Sequence, residues 1–128
     1  MTYESIVRLK ILSHAYTPDC ITAMLGVKCD KEWRAGDTRK HTTIVESANG
    51  WVLHSSLPRT ADMDAHIDLL LQVLEPVKES IRRLSATETV ELSIVIYSPS
   101  PPALRFDASI VARIAELGAG LDVDLYIT

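Results

Sequence analysis

Over residues 5–12 the chain alternates. Val7, Leu9 and Ile11 fall on one side, and Ile6, Arg8, Lys10 and Leu12 on the other. That period of two predicts a strand with one well-buried face. "TPDCITAMLG" follows with helix punctuation: Thr17 to cap, Pro18 for the first helical position, Asp19 at the positive end of the dipole, and Gly26 for a left-handed stop. Ile21, Met24 and Leu25 supply its buried stripe. Residues 27–40 show no period and are expected to form an ordered loop. Residues 41–47 and 51–56 read as two strands joined around "SANG", where Asn49 and Gly50 tolerate the positive φ of a tight hairpin.

From Asp62 the period becomes helical, with Ile67, Leu70, Leu71, Leu74, Ile81 and Leu84 at three- and four-residue steps. Pro76 lacks an N–H, so a kink or two abutting helices is expected there. Residues 89–97 are a strand with Val90, Leu92, Ile94 and Ile96 on one face and Glu91, Ser93, Val95 and Tyr97 on the other. The prolines of "SPSPP" mark a loop. Asp107 then caps a helix carrying Ile110, Val111, Ile114 and Leu117, which Gly118 stops. A final strand alternates Leu121, Val123, Leu125 and Ile127 with Asp122, Asp124, Tyr126 and Thr128.

The order is β-α-β-β-α-β-α-β in a single domain, residues 1–128. One-sided strands predict an α+β fold: a mainly antiparallel five-stranded sheet with helices packed on one face. Its first six elements have the ferredoxin-like order.

Composition narrows the function. The chain has 128 residues, 47% hydrophobic and 23% charged, with a net charge of −4, which is enough for one core and too acidic for a nucleic-acid backbone. The longest basic cluster, "RAGDTRK", carries its own aspartate. Arg8 and Lys10 interrupt the apolar residues near the N-terminus, and no stretch approaches the roughly 20 apolar residues that span a bilayer. Neither nucleic acid nor membrane is expected as a partner. Cys20 and Cys29 do not form a Cys-x-x-Cys pair, so reduced thiols in a cytoplasm are the simplest expectation.

In "WRAGD", Arg34 and Asp37 form a polar pair framed by Trp33, suited to gripping a carboxylate or a partner's backbone. The alternative is structural. Trp33 would close an edge of the core, Gly36 permit a turn, Asp37 tie the loop to itself, and Arg34 pair with a carboxylate such as Asp122 or Asp124. Trp51 and His54, three apart on a strand, point to opposite faces, with Trp51 inward beside Leu53 and His54 outward near Ser56. His14, Cys20, Cys29, His41, His54 and His66 lack metal-ligand spacing, and the acidic residues of "DMDAHID" suit a helix start by charge alone. Cys20 is either a helix-stabilised thiolate near His14 or a small buried residue. No nucleophile elbow, phosphate-binding glycine loop or dinucleotide fingerprint is present, and no cofactor or metal is expected. The outward faces of the last two strands, with Glu91, Ser93 and Tyr97 beside Asp122, Asp124 and Tyr126, would make an acidic face with tyrosines if the strands are neighbours. Such a face suits a basic protein partner, a solvated surface or a homodimer.

"WRAGD", "GW" with "SS" a few residues on, the leucine-rich helix broken at Pro76 and the terminal "ELGAGLDVDLYI" together resemble the bacterial domain-of-unknown-function family numbered 4279. The resemblance covers almost the whole chain. Trp33, Arg34, Gly36, Asp37, Gly50 and Trp51 are its most specific residues. It implies a fold and landmark positions, and, for some members, immunity or accessory roles. The expected function is therefore a non-enzymatic cytoplasmic interaction module that binds another protein through Tyr97, Asp122, Asp124, Tyr126 and the loop around Arg34. The alternative is a small-ligand-binding domain or an enzyme with a pocket near Arg34, Asp37 and His54.

Overall fold

A computed structural model describes residues 3–128. The elements are β1 (Glu4–Ser13), α1 (Pro18–Leu25), β2 (Lys31–Trp33), β3 (Asn49–His54), α2 (Met63–Leu74), a 3-10 turn (Glu75–Val77), α3 (Lys78–Ser85), β4 (Thr89–Ser98), α4 (Ala108–Glu116) and β5 (Gly120–Ile127). The five strands form one sheet in the order β2-β3-β1-β4-β5.

The expectation of a mainly antiparallel sheet is corrected. β1–β3, β1–β4 and β2–β3 are antiparallel, but β4 and β5 run parallel, so the sheet is mixed. Alternation looks the same in either direction; α4 decides it by carrying the chain back before β5 begins. The ferredoxin-like order of the first six elements is not confirmed: β2, β3, β1 and β4 lie side by side with antiparallel neighbours, but the second helical unit is two helices. Pro76 sits in the 3-10 turn that separates α2 from α3.

A second correction concerns β2. Residues 41–47 form no strand, contributing only an isolated bridge between Thr38 and Val45, and Ile44 and Val45 stay exposed. The strand lies instead at Lys31–Trp33, within the stretch read as a loop, and pairs Lys31 with Val52, Glu32 with Trp51 and Trp33 with Gly50. Gly50 is therefore no hairpin turn. Among the glycines, positive φ occurs at Gly26, Gly36 and Gly118 only, and Gly50 is extended. Its missing side chain serves the Trp33 indole, which a Cβ at Gly50 would overlap.

The predicted punctuation elsewhere holds. Thr17 Oγ1 accepts from the Cys20 N–H at 3.3 Å, Gly26 closes α1 at φ 67°, and Asp107 accepts from the Ile110 N–H at 3.0 Å. Met24 and Val111, placed on buried stripes by spacing, lie at the exposed margins of their helices. The core sits between the helices and one sheet face, where Val7, Leu9, Ile11, Trp51, Leu92, Ile94 and Ile96 meet Ile21, Ile67, Leu70, Leu74, Ile81 and Ile114. Trp51 donates its indole N–H to Thr22 Oγ1 at 3.0 Å, fastening α1 to β3. No helix among the described residues is long and apolar enough to cross a membrane.

Candidate functional site

With every helix on one side, the other sheet face is open, and strand register sets its chemistry. Lys31, Val52, Lys10 and Glu91 form one row across β2, β3, β1 and β4; His54, Arg8, Ser93 and Asp122 form the next, across β3, β1, β4 and β5. Ile6, Val95 and Asp124 follow, and the last row brings Tyr97 beside Tyr126, their rings stacked at 5.2 Å between centroids. The Arg59 guanidinium lies 5.1 Å from the Tyr97 ring.

The acidic, tyrosine-bearing strip therefore exists, with Tyr97, Asp122, Asp124 and Tyr126 on neighbouring strands. It is only half the face. Arg8 and Lys10 of β1 and Lys31 of β2 make the opposite half basic. The signal was present in the alternation of β1, but its outward cations read simply as the polar positions of a strand, and β2 was not recognised.

The "WRAGD" loop is tied to itself. Arg34 and Asp37 close a turn, with the Asp37 N–H donating to the Arg34 carbonyl at 3.0 Å and Asp37 Oδ2 accepting from the Arg34 N–H at 2.8 Å. Gly36 supplies the left-handed residue at φ 93° and donates its N–H to the Glu46 carbonyl at 2.8 Å. Asn49 clamps the turn from β3, accepting from the Ala35 N–H and donating to the Tyr16 carbonyl, both at 2.9 Å. The Arg34 side chain reaches Asp19 on α1 at 3.0 Å, with both partners exposed. It does not reach Asp122 or Asp124, because β2 and β5 occupy opposite edges of the sheet.

The loop overhangs the basic half. Between residues 37–40 and the sheet residues Arg8, Lys10, Lys31 and Val52 runs a groove of about 810 Å³, with Trp33 in its wall. Arg39 is neutralised by Glu46 at 2.8 Å. The Lys31 ammonium lies 5.7 Å from the centre of the Trp33 ring, and the Trp33 indole nitrogen is buried without a hydrogen-bond partner among the described residues.

A smaller cavity of about 260 Å³ opens at the far end of β3, lined by Ser5, His54, Ser55, Arg59 and His66 among others. His66 Nδ1 and Ser55 Oγ are 2.9 Å apart, while His66 Nε2 and Ser5 Oγ are buried without a partner among the described residues. Burial pushes the His66 pKa down, opposed by the Pro58 carbonyl. His54 is also lowered, chiefly by burial, with Arg8 and Lys31 adding to the shift and Asp30 opposing it. Sequence reasoning missed the Ser55–His66 pair, since a strand end and a helix interior 11 residues apart show no motif.

The trio Arg34, Asp37 and His54 is thus not brought together. Arg34 turns to α1, Asp37 lines the groove, and His54 borders the smaller cavity. Trp51 is buried beneath the sheet, on the opposite face from His54. Cys20 is exposed, which removes the buried reading, and the Cys29 thiol is pushed up by burial and by Glu32. Among the described residues, His, Cys, Asp and Glu nowhere gather in a group of three able to hold a metal ion.

Residues 1–128 match the model of a protein family described as Domain of unknown function (DUF4279). Neither a curated protein nor a solved structure matches the chain.

Proposed function

We propose that this chain, which belongs to the DUF4279 family over residues 1–128, is a non-enzymatic binding module that takes an extended, basic segment of another protein along β5. The setting is a bacterial cytoplasm, where Cys20 and Cys29 remain thiols, and the role is of the immunity or accessory type. One observation carries the reading: β5 is a long edge strand whose charges are all negative, so it is guarded against a copy of itself but open to a basic strand. It runs for eight residues, and on its outer side no strand pairs with it among the described residues. Natural edges are protected by charged side chains, lysine above all, and by prolines, bulges or brevity; "GLDVDLYI" has neither lysine nor proline, and its charged residues are Asp122 and Asp124. Leu121, Leu125 and Ile127 remain about half exposed on the helix side, while Asp122, Asp124 and Tyr126 line the open side.

A strand added here gains main-chain hydrogen bonds for affinity and alternating side-chain contacts for specificity. Lysines or arginines on its open side would meet Asp122, Asp124 and the tyrosine stack, and apolar residues on its other side would cover Leu121 and Leu125. The test is fluorescence polarisation with a labelled alternating Lys-Val peptide, wild type against Asp122→Lys/Asp124→Lys. Binding that weakens with salt and drops at least tenfold in the variant, about 1.4 kcal/mol, is the expected result. Absence of binding at low salt, or equal binding by the variant, would overturn it. A second reading, small-ligand binding, rests on a different observation: the groove beside the loop.

A further inference from the structure

The groove has a charge that the rest of the chain does not share. In a protein of net charge −4, its wall carries five cationic side chains against three carboxylates. Two of the carboxylates are already committed: Glu46 holds Arg39, and Asp37 accepts the Arg34 N–H. The third, Glu32, projects from β2 beside Trp51, on the face opposite Lys31, and lies 3.9 Å from the Cys29 thiol. Among the described residues, Arg8, Lys10, Lys31 and Lys40 have no carboxylate oxygen within 4.0 Å, although Glu91 neighbours Lys10 in register.

The cations are also spaced by the sheet. Arg8 and Lys10 are two residues apart on one strand, roughly 7 Å along it, and Lys31 stands two strands away, roughly 10 Å across. Val52 lies between Lys31 and Lys10, and the Trp33 indole closes the edge. The groove thus offers cations on both sides of an apolar floor, and its volume of about 810 Å³ falls within the range of small-molecule sites.

We infer that this groove binds a small molecule carrying at least two negative groups, phosphate or carboxylate, set several ångströms apart. Lys10 and Lys31 take one group each from opposite sides of Val52, and Arg8 offers a planar donor whose one bond within the sheet is to Ser93 Oγ at 3.2 Å. Lys40, on the overhanging loop, reaches the same charge from above. The site lies on the other half of the face from β5, so it stands or falls apart from the protein-binding reading.

The experiment is calorimetric titration of the whole chain at low salt with pyrophosphate and, separately, citrate. Comparison proteins are Lys10→Gln/Lys31→Gln and, on the acidic half, Asp124→Asn. One or both probes should bind wild type with Kd below about 1 mM, and the lysine double variant should lose at least tenfold while Asp124→Asn does not. Which probe binds identifies the group as phosphate or carboxylate. The three substituted side chains lie on the sheet face outside the core, and circular dichroism checks that each variant folds. Failure of both probes, or unchanged binding in the lysine variant, would overturn the assignment. So would a short single-stranded oligothymidylate that binds more tightly than either probe through the same lysines, since the groove would then belong to a nucleic acid.

Discussion

At the scale of single residues, the landmark positions divide into those that hold the backbone and those free to do something else. Gly50 belongs to the first group. Its extended backbone needs no glycine, but the Trp33 indole occupies the space where a side chain would be. Gly50→Ala should therefore cost about 1–3 kcal/mol, the scale of an overpacked site, as Trp33 is pushed from the sheet. Arg34 behaves oppositely. Its one charged partner among the described residues is Asp19, and both side chains are more than half exposed, at 56% and 76%. An exposed ion pair contributes at most about 1 kcal/mol, and salt screens it. Urea unfolding of the two variants against wild type checks both: Gly50→Ala should lower the midpoint clearly, and Arg34→Ala should barely move it. The reverse ranking would mean that Arg34, rather than Trp33 on Gly50, sets the loop. The sequence suggested that Asp37 ties the turn together, because aspartate beside glycine is turn chemistry. It could not place Arg34, whose partner is 15 residues away on a helix and depends on how α1 docks.

At the scale of elements, periodicity located nearly everything long enough to have a period. β1, β4, β5 and the helices follow from alternation or from three- and four-residue spacing, and the break at Pro76 from the missing N–H. β2 escaped because three residues carry no pattern. Its pairing is extended by Asp30, whose N–H donates to the Val52 carbonyl and whose carboxylate accepts the His54 N–H, both at 2.8 Å. Residues 41–47, expected as a strand, stay a loop apart from the single bridge between Thr38 and Val45. On α2 the spacing marked Ile67, Leu70, Leu71 and Leu74, which are buried, but not the histidine buried beside them. His66 packs between α2 and the sheet with Ser55 on its Nδ1, and burial holds its pKa below 6.5. The unfolded chain therefore binds a proton more readily than the folded one as pH falls through about 6.5, so stability should decline in that window and level off below the folded value. His54, shifted the same way, adds to the slope. Urea midpoints between about pH 7.5 and 5.5 should fall in wild type and fall less in His66→Gln. Equal slopes would show that His66 is not the titrating group.

At the scale of the whole molecule, the open face is divided by charge, basic over β1 and β2 and acidic along β4 and β5, and this division bears on self-association. An apolar, unpaired edge invites a second copy to add its own β5. In an antiparallel pairing that keeps the apolar sides together, residues on one face must meet residues on the same face. Registers centred on Asp122, Val123 or Asp124 then set an Asp against itself, against the other Asp, or against its neighbours across the pair. Centred on Val123, two Asp122–Asp124 contacts form at the roughly 5 Å spacing of facing residues. Each costs about 1 kcal/mol at the dielectric of water and about 3 kcal/mol at an effective value of 20. The pair together is enough to shift a dimer constant by at least tenfold, whereas a basic strand would turn the same contacts favourable. Wild type should therefore sediment as a monomer at neutral pH and low salt. Asp122→Asn/Asp124→Asn, which keeps the shape and removes the repulsion, should self-associate at concentrations where wild type does not, and high salt should narrow the difference. A wild type that already dimerises with its β5 amides protected from exchange would assign the edge to a second copy, and the basic partner would have to bind elsewhere.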